Sequence, residues 1–117
     1  DATIIRFPGG SSNTVSRKYC SGIMTTLTQD VVNRGFKYYD WNLSSGDAAG
    51  GSPTSTDIYN NVVYSLRKDR VNMVLMHDIK AATRDALRSI IQYGKDNGYS
   101  FEKITIDTEM VTQRVNN

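Results

Sequence analysis

The sequence predicts an α/β protein with four parallel strands and three intervening helices. Two observations carry this. Short apolar, β-branched or aromatic segments alternate with longer ones whose apolar residues recur every three or four positions. Turn-forming residues then fall between them, at Pro8-Gly9-Gly10, Gly35 and Gly98. Such alternation favours parallel strands joined by right-handed crossovers.

Thr3 to Phe7 reads as the first strand, broken by Pro8-Gly9-Gly10-Ser11-Ser12-Asn13. From Cys20 to Arg34 the residues Ile23, Leu27 and Val31 recur at spacing four, Met24 and Val32 widen the stripe, and Gly35 ends the helix. Phe36 to Trp41 is aromatic-rich and reads as the second strand. Asn42 to Pro53 reads as a long Ser- and Gly-rich loop. Ser55-Thr56-Asp57 opens a second helix with N-cap chemistry, with Ile58, Val62, Val63 and Leu66 on one side. Val71 to Met76 is nearly continuous apolar, as expected of a strand buried on both faces. The third helix runs from about Ala81 to Asn97, with Ala82, Ala86, Leu87, Ile90 and Ile91 inward and Gly98 beyond its end. Phe101 to Ile106 reads as the fourth strand. No repeat, low-complexity tract or linker divides residues 1–117, so the chain is expected to be one unit.

Composition narrows the function. With 117 residues the chain has the length of one ordinary domain. No apolar run approaches the roughly 20 residues a membrane helix needs. A net charge of +2 is too small to point to nucleic acid or a membrane surface. The single Cys20 forms no internal disulfide. One His excludes sites built on paired imidazoles. The opening Asp1-Ala2-Thr3-Ile4-Ile5 has no signal-peptide pattern and reads as a chain entered in mid-fold, which predicts a fragment or a processed product.

Function in α/β folds gathers at the carboxyl ends of parallel strands. Here those ends carry Arg6-Phe7-Pro8-Gly9-Gly10, Asp40-Trp41-Asn42 and Leu75-Met76-His77-Asp78. Singly, each has an ordinary reading: Arg6 as a carboxylate partner, Asp40 as a loop cap, Trp41 as core, Asp78 as the N-cap region of the next helix. His77 reads equally as a hydrogen-bonded structural histidine. A cation, a carboxylate with an indole, and the sole imidazole on successive strand ends together point to a site. Asn42-Leu43-Ser44 matches a glycosylation sequon, a pattern short chains often contain by chance. Arg17, Lys18 and the Arg67-Lys68-Asp69-Arg70 cluster read as solvated helix ends.

The segments Arg6-Phe7-Pro8-Gly9-Gly10-Ser11, Tyr39-Asp40-Trp41-Asn42 and Val74-Leu75-Met76-His77-Asp78 resemble the last three motifs of the polysaccharide deacetylases, the NodB-homology carbohydrate esterases. These enzymes remove N-acetyl groups from peptidoglycan or chitin-like sugars. Order and spacing match from Ile4 to the terminal Asn pair, and the chain is most similar to cell-wall-directed members of Gram-positive bacteria. The resemblance implies the later part of a distorted (β/α) barrel, the C-terminal portion of the catalytic domain. It implies a divalent, zinc-like metal in the complete fold. The family's Thr-Phe-Asp-Asp-Gly and His-x-x-x-His motifs, which hold that metal and the catalytic base, are absent from this sequence, so no metal is expected on this chain alone.

The resemblance also implies roles. Arg6 lines the groove and orients the catalytic carboxylate. Pro8 holds a turn, and the N–H of Gly9, where many members carry an aromatic residue, helps bind the oxyanion. Asp40 hydrogen-bonds His77 and supports its protonated form. Trp41 and Leu75 enclose the acetyl methyl, and His77 protonates the leaving amine. Amide hydrolysis needs these functions together with an activated water. The implied partners are an amino-sugar polysaccharide and either the missing N-terminal half or a second copy. Neither nucleic acid nor membrane is expected, and the parent is expected outside the cell or on its surface. The rival readings are a non-catalytic carbohydrate-binding or scaffold remnant, and a flavodoxin-like or receiver-like domain. The latter would need a phosphate loop or an acidic cluster that the sequence does not contain.

Overall fold

Strand pairing begins where β-branched and aromatic residues are densest. In the computed structural model, which describes residues 3–117, β1 (Ile4–Ile5) runs parallel to β2 (Lys37–Tyr38), with Ile4 opposite Lys37 and Ile5 opposite Tyr38. Contacts gather into two units, one from the chain up to Asn42 with Ile104–Asn117, the other Leu43–Lys103.

In the first unit, α1 (Ile23–Asn33) forms the crossover between β1 and β2. Its buried side chains are Met24 and Thr28, while Ile23, Leu27 and Val31 are half-buried and Val32 is exposed. The inward face therefore lies about one residue round from the expected stripe. Thr28 can sit there because its hydroxyl donates to Met24 O at 2.8 Å, leaving only its methyl to pack. Phe101–Ile106, expected as a strand, carries no ladder. The following segment turns at Thr105–Thr108 and is held instead by individual bonds: Tyr39 Oη donates to Thr108 O (2.7 Å), and Asp40 N–H donates to Val111 O (2.8 Å).

In the second unit, β3 (Leu43–Ser44) pairs in parallel with β4 (Val74–Leu75), Leu43 opposite Val74 and Ser44 opposite Leu75. This strand falls inside the stretch expected to be loop. One buried Leu followed by an exposed Ser is too short an alternation to stand out among Ser and Gly. The crossover is α2 (Ser55–Val63). It is capped one residue earlier than expected, by Thr54: Asp57 N–H donates to Thr54 Oγ1 (3.1 Å) and Thr54 N–H to Asp57 Oδ2 (2.9 Å). α3 (Ala81–Asp96) follows. Leu43, Ile58, Val62, Ala86 and Ile90 form the core, with Leu66, Val74, Met76 and Ala82 packed against it. Leu87, expected inward, is exposed, because the buried face of α3 runs Thr83, Ala86, Ile90, Gly94 and leaves residue 87 on its flank. Of the expected doubly buried run, Met73 is buried and Val71 is exposed. Among the described residues no helix is long and apolar enough to cross a membrane.

Candidate functional site

Parallel pairing brings the residues beyond both carboxyl ends to one rim. Beyond β3 the chain turns through Ser45-Gly46-Asp47, and beyond β4 it passes Met76 to His77. Ser45 fixes the first turn: its N–H donates to Leu75 O (3.1 Å) and its carbonyl accepts from Asn61 Nδ2 (3.0 Å). Asp47 and His77 then meet. His77 Nδ1 lies 2.8 Å from Asp47 Oδ1, and the His77 backbone N–H donates to Asp47 Oδ2 at 2.6 Å. Thr83, in the first turn of α3, donates its hydroxyl to the same Oδ2 at 2.7 Å.

The Asp47 side chain is 2% exposed and the imidazole 41% exposed. Burial pushes the carboxyl of Asp47 up, but the bonds from Thr83 and from the ring and N–H of His77, with the charge of His77, outweigh it and hold the group at about 2. An ionised carboxylate only accepts, so the proton between the two side chains sits on Nδ1. That leaves Nε2 as the nitrogen free for proton transfer. A buried anion behind a half-exposed imidazole is the arrangement by which an imidazolium is oriented to give up a proton. A cavity of about 380 Å³ opens beside Asp47, lined by Gly50, Gly51, Ser52, Lys80 and Ala82 among others.

The carboxylate expected on the His77 ring was that of Asp40, but the ring's Nδ1 is engaged by Asp47. Asp40 is fully buried in the first unit, where its oxygens accept from Ser11 N–H (2.7 Å), Ser11 Oγ (2.5 Å) and Gln113 N–H (2.8 Å). It ties the loop after β1 to the 104–117 segment. Phe7 O accepts from Gly10 N–H (2.8 Å), with Pro8 at the second position of this turn and Gly9 at the third with φ +72°. This is the geometry that favours Pro followed by Gly. Gly10 is also required by space, since a Cβ there would stand 2.9 Å from Trp41 Cη2. The guanidinium of Arg6 lies over the Trp41 ring, 5.8 Å from its centroid, and its Nε donates to Tyr39 O. Leu75 is half-buried in β4, two residues before His77. Asp78 lies in the turn closed by Lys80 N–H to His77 O; the N-cap of α3 is Lys80.

Asp47 and Thr83 were not read from the sequence as site residues. A signal for Asp47 exists: it is the only charged residue between Asp40 and Asp57. Among the described residues no three His, Cys, Asp or Glu side chains stand together as a metal site.

No family model matches the chain. Over 85 residues it is 32% identical to a peptidoglycan-N-acetylglucosamine deacetylase of Bacillus cereus, the match covering 69% of this chain and 31% of that protein. The catalytic domain of peptidoglycan N-acetylglucosamine deacetylase from Eubacterium rectale superposes with a TM-score of 0.95 at 50% identity, covering 100% of this chain and 53% of that one. A polysaccharide deacetylase structure from Bacillus cereus gives a TM-score of 0.73 at 28% identity over 94% of this chain and 51% of that one. The chain thus spans about half of the solved structures it matches and about a third of the curated relative.

Proposed function

From its kinship with polysaccharide deacetylase catalytic domains, of which it covers part, we propose that this chain is the C-terminal portion of a metal-dependent N-deacetylase acting on peptidoglycan or a chitin-like polymer. In this reading it supplies the acid side of the reaction. The observation that carries it is the His77–Asp47 pair: a half-exposed imidazole whose Nδ1–H is held by a buried carboxylate at 2.8 Å. In hydrolysis of an acetamido group the imidazolium gives its Nε2 proton to the amine nitrogen as the C–N bond breaks, and Asp47 holds the ring and balances its charge. The metal ligands and the base that activates water belong to the part of the fold outside this chain, and the parent works at the bacterial cell wall.

The remaining roles stay with the residues that the resemblance named. The type II-like turn at Pro8-Gly9 supports an N–H donor role for Gly9. The stacked Arg6–Trp41 pair supports a rigid wall, and Leu75 stands two residues from the acid. Asp40 acts as a clamp of the Ser11 loop. The isolated chain is expected to be inactive. Purified chain with added zinc and an N-acetylglucosamine oligomer should release no more acetate than a His77→Ala control; a clear excess refutes the assignment of base and metal to a missing part. Sugar binding that survives His77→Ala, with no loss of acetate release when the full-length protein carries the same change, would favour the carbohydrate-binding remnant.

A further inference from the structure

We infer that Thr83 is a positioning residue for the His77 imidazole, acting through Asp47. The inference rests on the reading of His77 as a proton donor, and its test does not depend on any sugar substrate. Asp47 has two oxygens and three donors. Oδ1 receives the ring Nδ1–H, and Oδ2 receives both the His77 backbone N–H (2.6 Å) and the Thr83 hydroxyl (2.7 Å). The backbone N–H, just past β4, and the ring each engage one oxygen, but both belong to His77. The Thr83 hydroxyl comes from α3, whose buried face packs into the core through Ala86 and Ile90. It is the contact that ties the carboxylate to a second element, so that Oδ2 is held both from the end of β4 and from α3. Thr83 is 5% exposed, and a hydroxyl buried to that degree is satisfied only by its acceptor. A carboxylate with both oxygens fixed presents one lone pair to Nδ1–H in one direction. That selects the ring's tautomer and points Nε2 outward.

His77 is the sole histidine, so ring-15N-labelled chain gives one pair of imidazole nitrogen signals. In the neutral form of the ring, the wild-type chain should show a protonated Nδ1 and an unprotonated Nε2, widely separated. Thr83→Val should draw the two resonances together as the Nε2–H form enters. Thr83→Ser should restore the wild-type separation, which a merely space-filling role would not require. A folded Thr83→Val chain with unchanged ring resonances overturns the inference. Should that variant unfold, the wild-type chain decides: the Thr83 hydroxyl proton should be a slowly exchanging resonance, and rapid exchange with water overturns the proposal. Asp47→Asn separates the two levels of the account. If it leaves the ring signals unchanged, the His77–Asp47 pair fails and takes the proposed function with it. If it merges them while Thr83→Val does not, only the role of Thr83 fails.

Discussion

Asp47 shows how one carboxylate couples fold and chemistry. It is ionised although buried, because three donors replace the water it gave up. Its folded value of about 2 lies below the ordinary 3.8. The group therefore stabilises the folded chain fully above about pH 4, and that contribution disappears as pH falls through about 2. The difference corresponds to about 2 kcal/mol. In Asp47→Asn, urea unfolding should show a smaller loss of stability between pH 4 and pH 2 than wild type; equal losses would mean the carboxylate is not held ionised. His77 drew attention in the sequence as the sole imidazole, just past a strand end, where a structural reading stood equally beside a functional one. Its partner did not. Asp40 carried the motif-like company of Trp41, while Asp47 sat in a Ser/Gly stretch whose turn becomes visible only once β3 and β4 pair. The plain cap reading of Asp40 proved close to its hydrogen bonds, since it holds Ser11 and Gln113.

At the scale of elements, helices were read more reliably than strands. A helix announces itself through periodicity over several turns and through its end signals, the capping box of α2 and the positive-φ Gly98 just beyond α3. A two-residue strand has neither. β3 was hidden by the polar residues after Leu43, and Phe101–Ile106 has strand-like residues without a ladder partner among the described residues. There Phe101 places its ring where a Cβ of Gly94 would stand, and the chain beyond is held by Tyr39 and Asp40. The capping box of α2 positions the helix that closes the β3–β4 crossover. Thr54→Ala removes the acceptor for Asp57 N–H and should destabilise the chain by about 1 kcal/mol, read as a lower urea midpoint at unchanged slope. Thr54→Ser should recover most of it. No change in midpoint would show that the cap is frayed in solution.

For the whole molecule, kinship and the His77–Asp47 pair are the two separate observations behind the proposed function. The chain matches about half of a solved deacetylase catalytic domain at 50% identity, and it carries a half-exposed imidazole held by a buried carboxylate. It has no triad of metal donors among its described residues. Under the proposed function, proton donation falls to His77, and water activation to residues outside this chain. Acetate released from an N-acetylglucosamine oligomer by the full-length protein carrying His77→Ala or Asp47→Asn tests this division most directly. The account predicts that His77→Ala lowers turnover by about 10²–10⁴-fold, the usual range for loss of a general acid, and that Asp47→Asn lowers it in the same direction while leaving the protein folded. Turnover equal to wild type in both variants would contradict it.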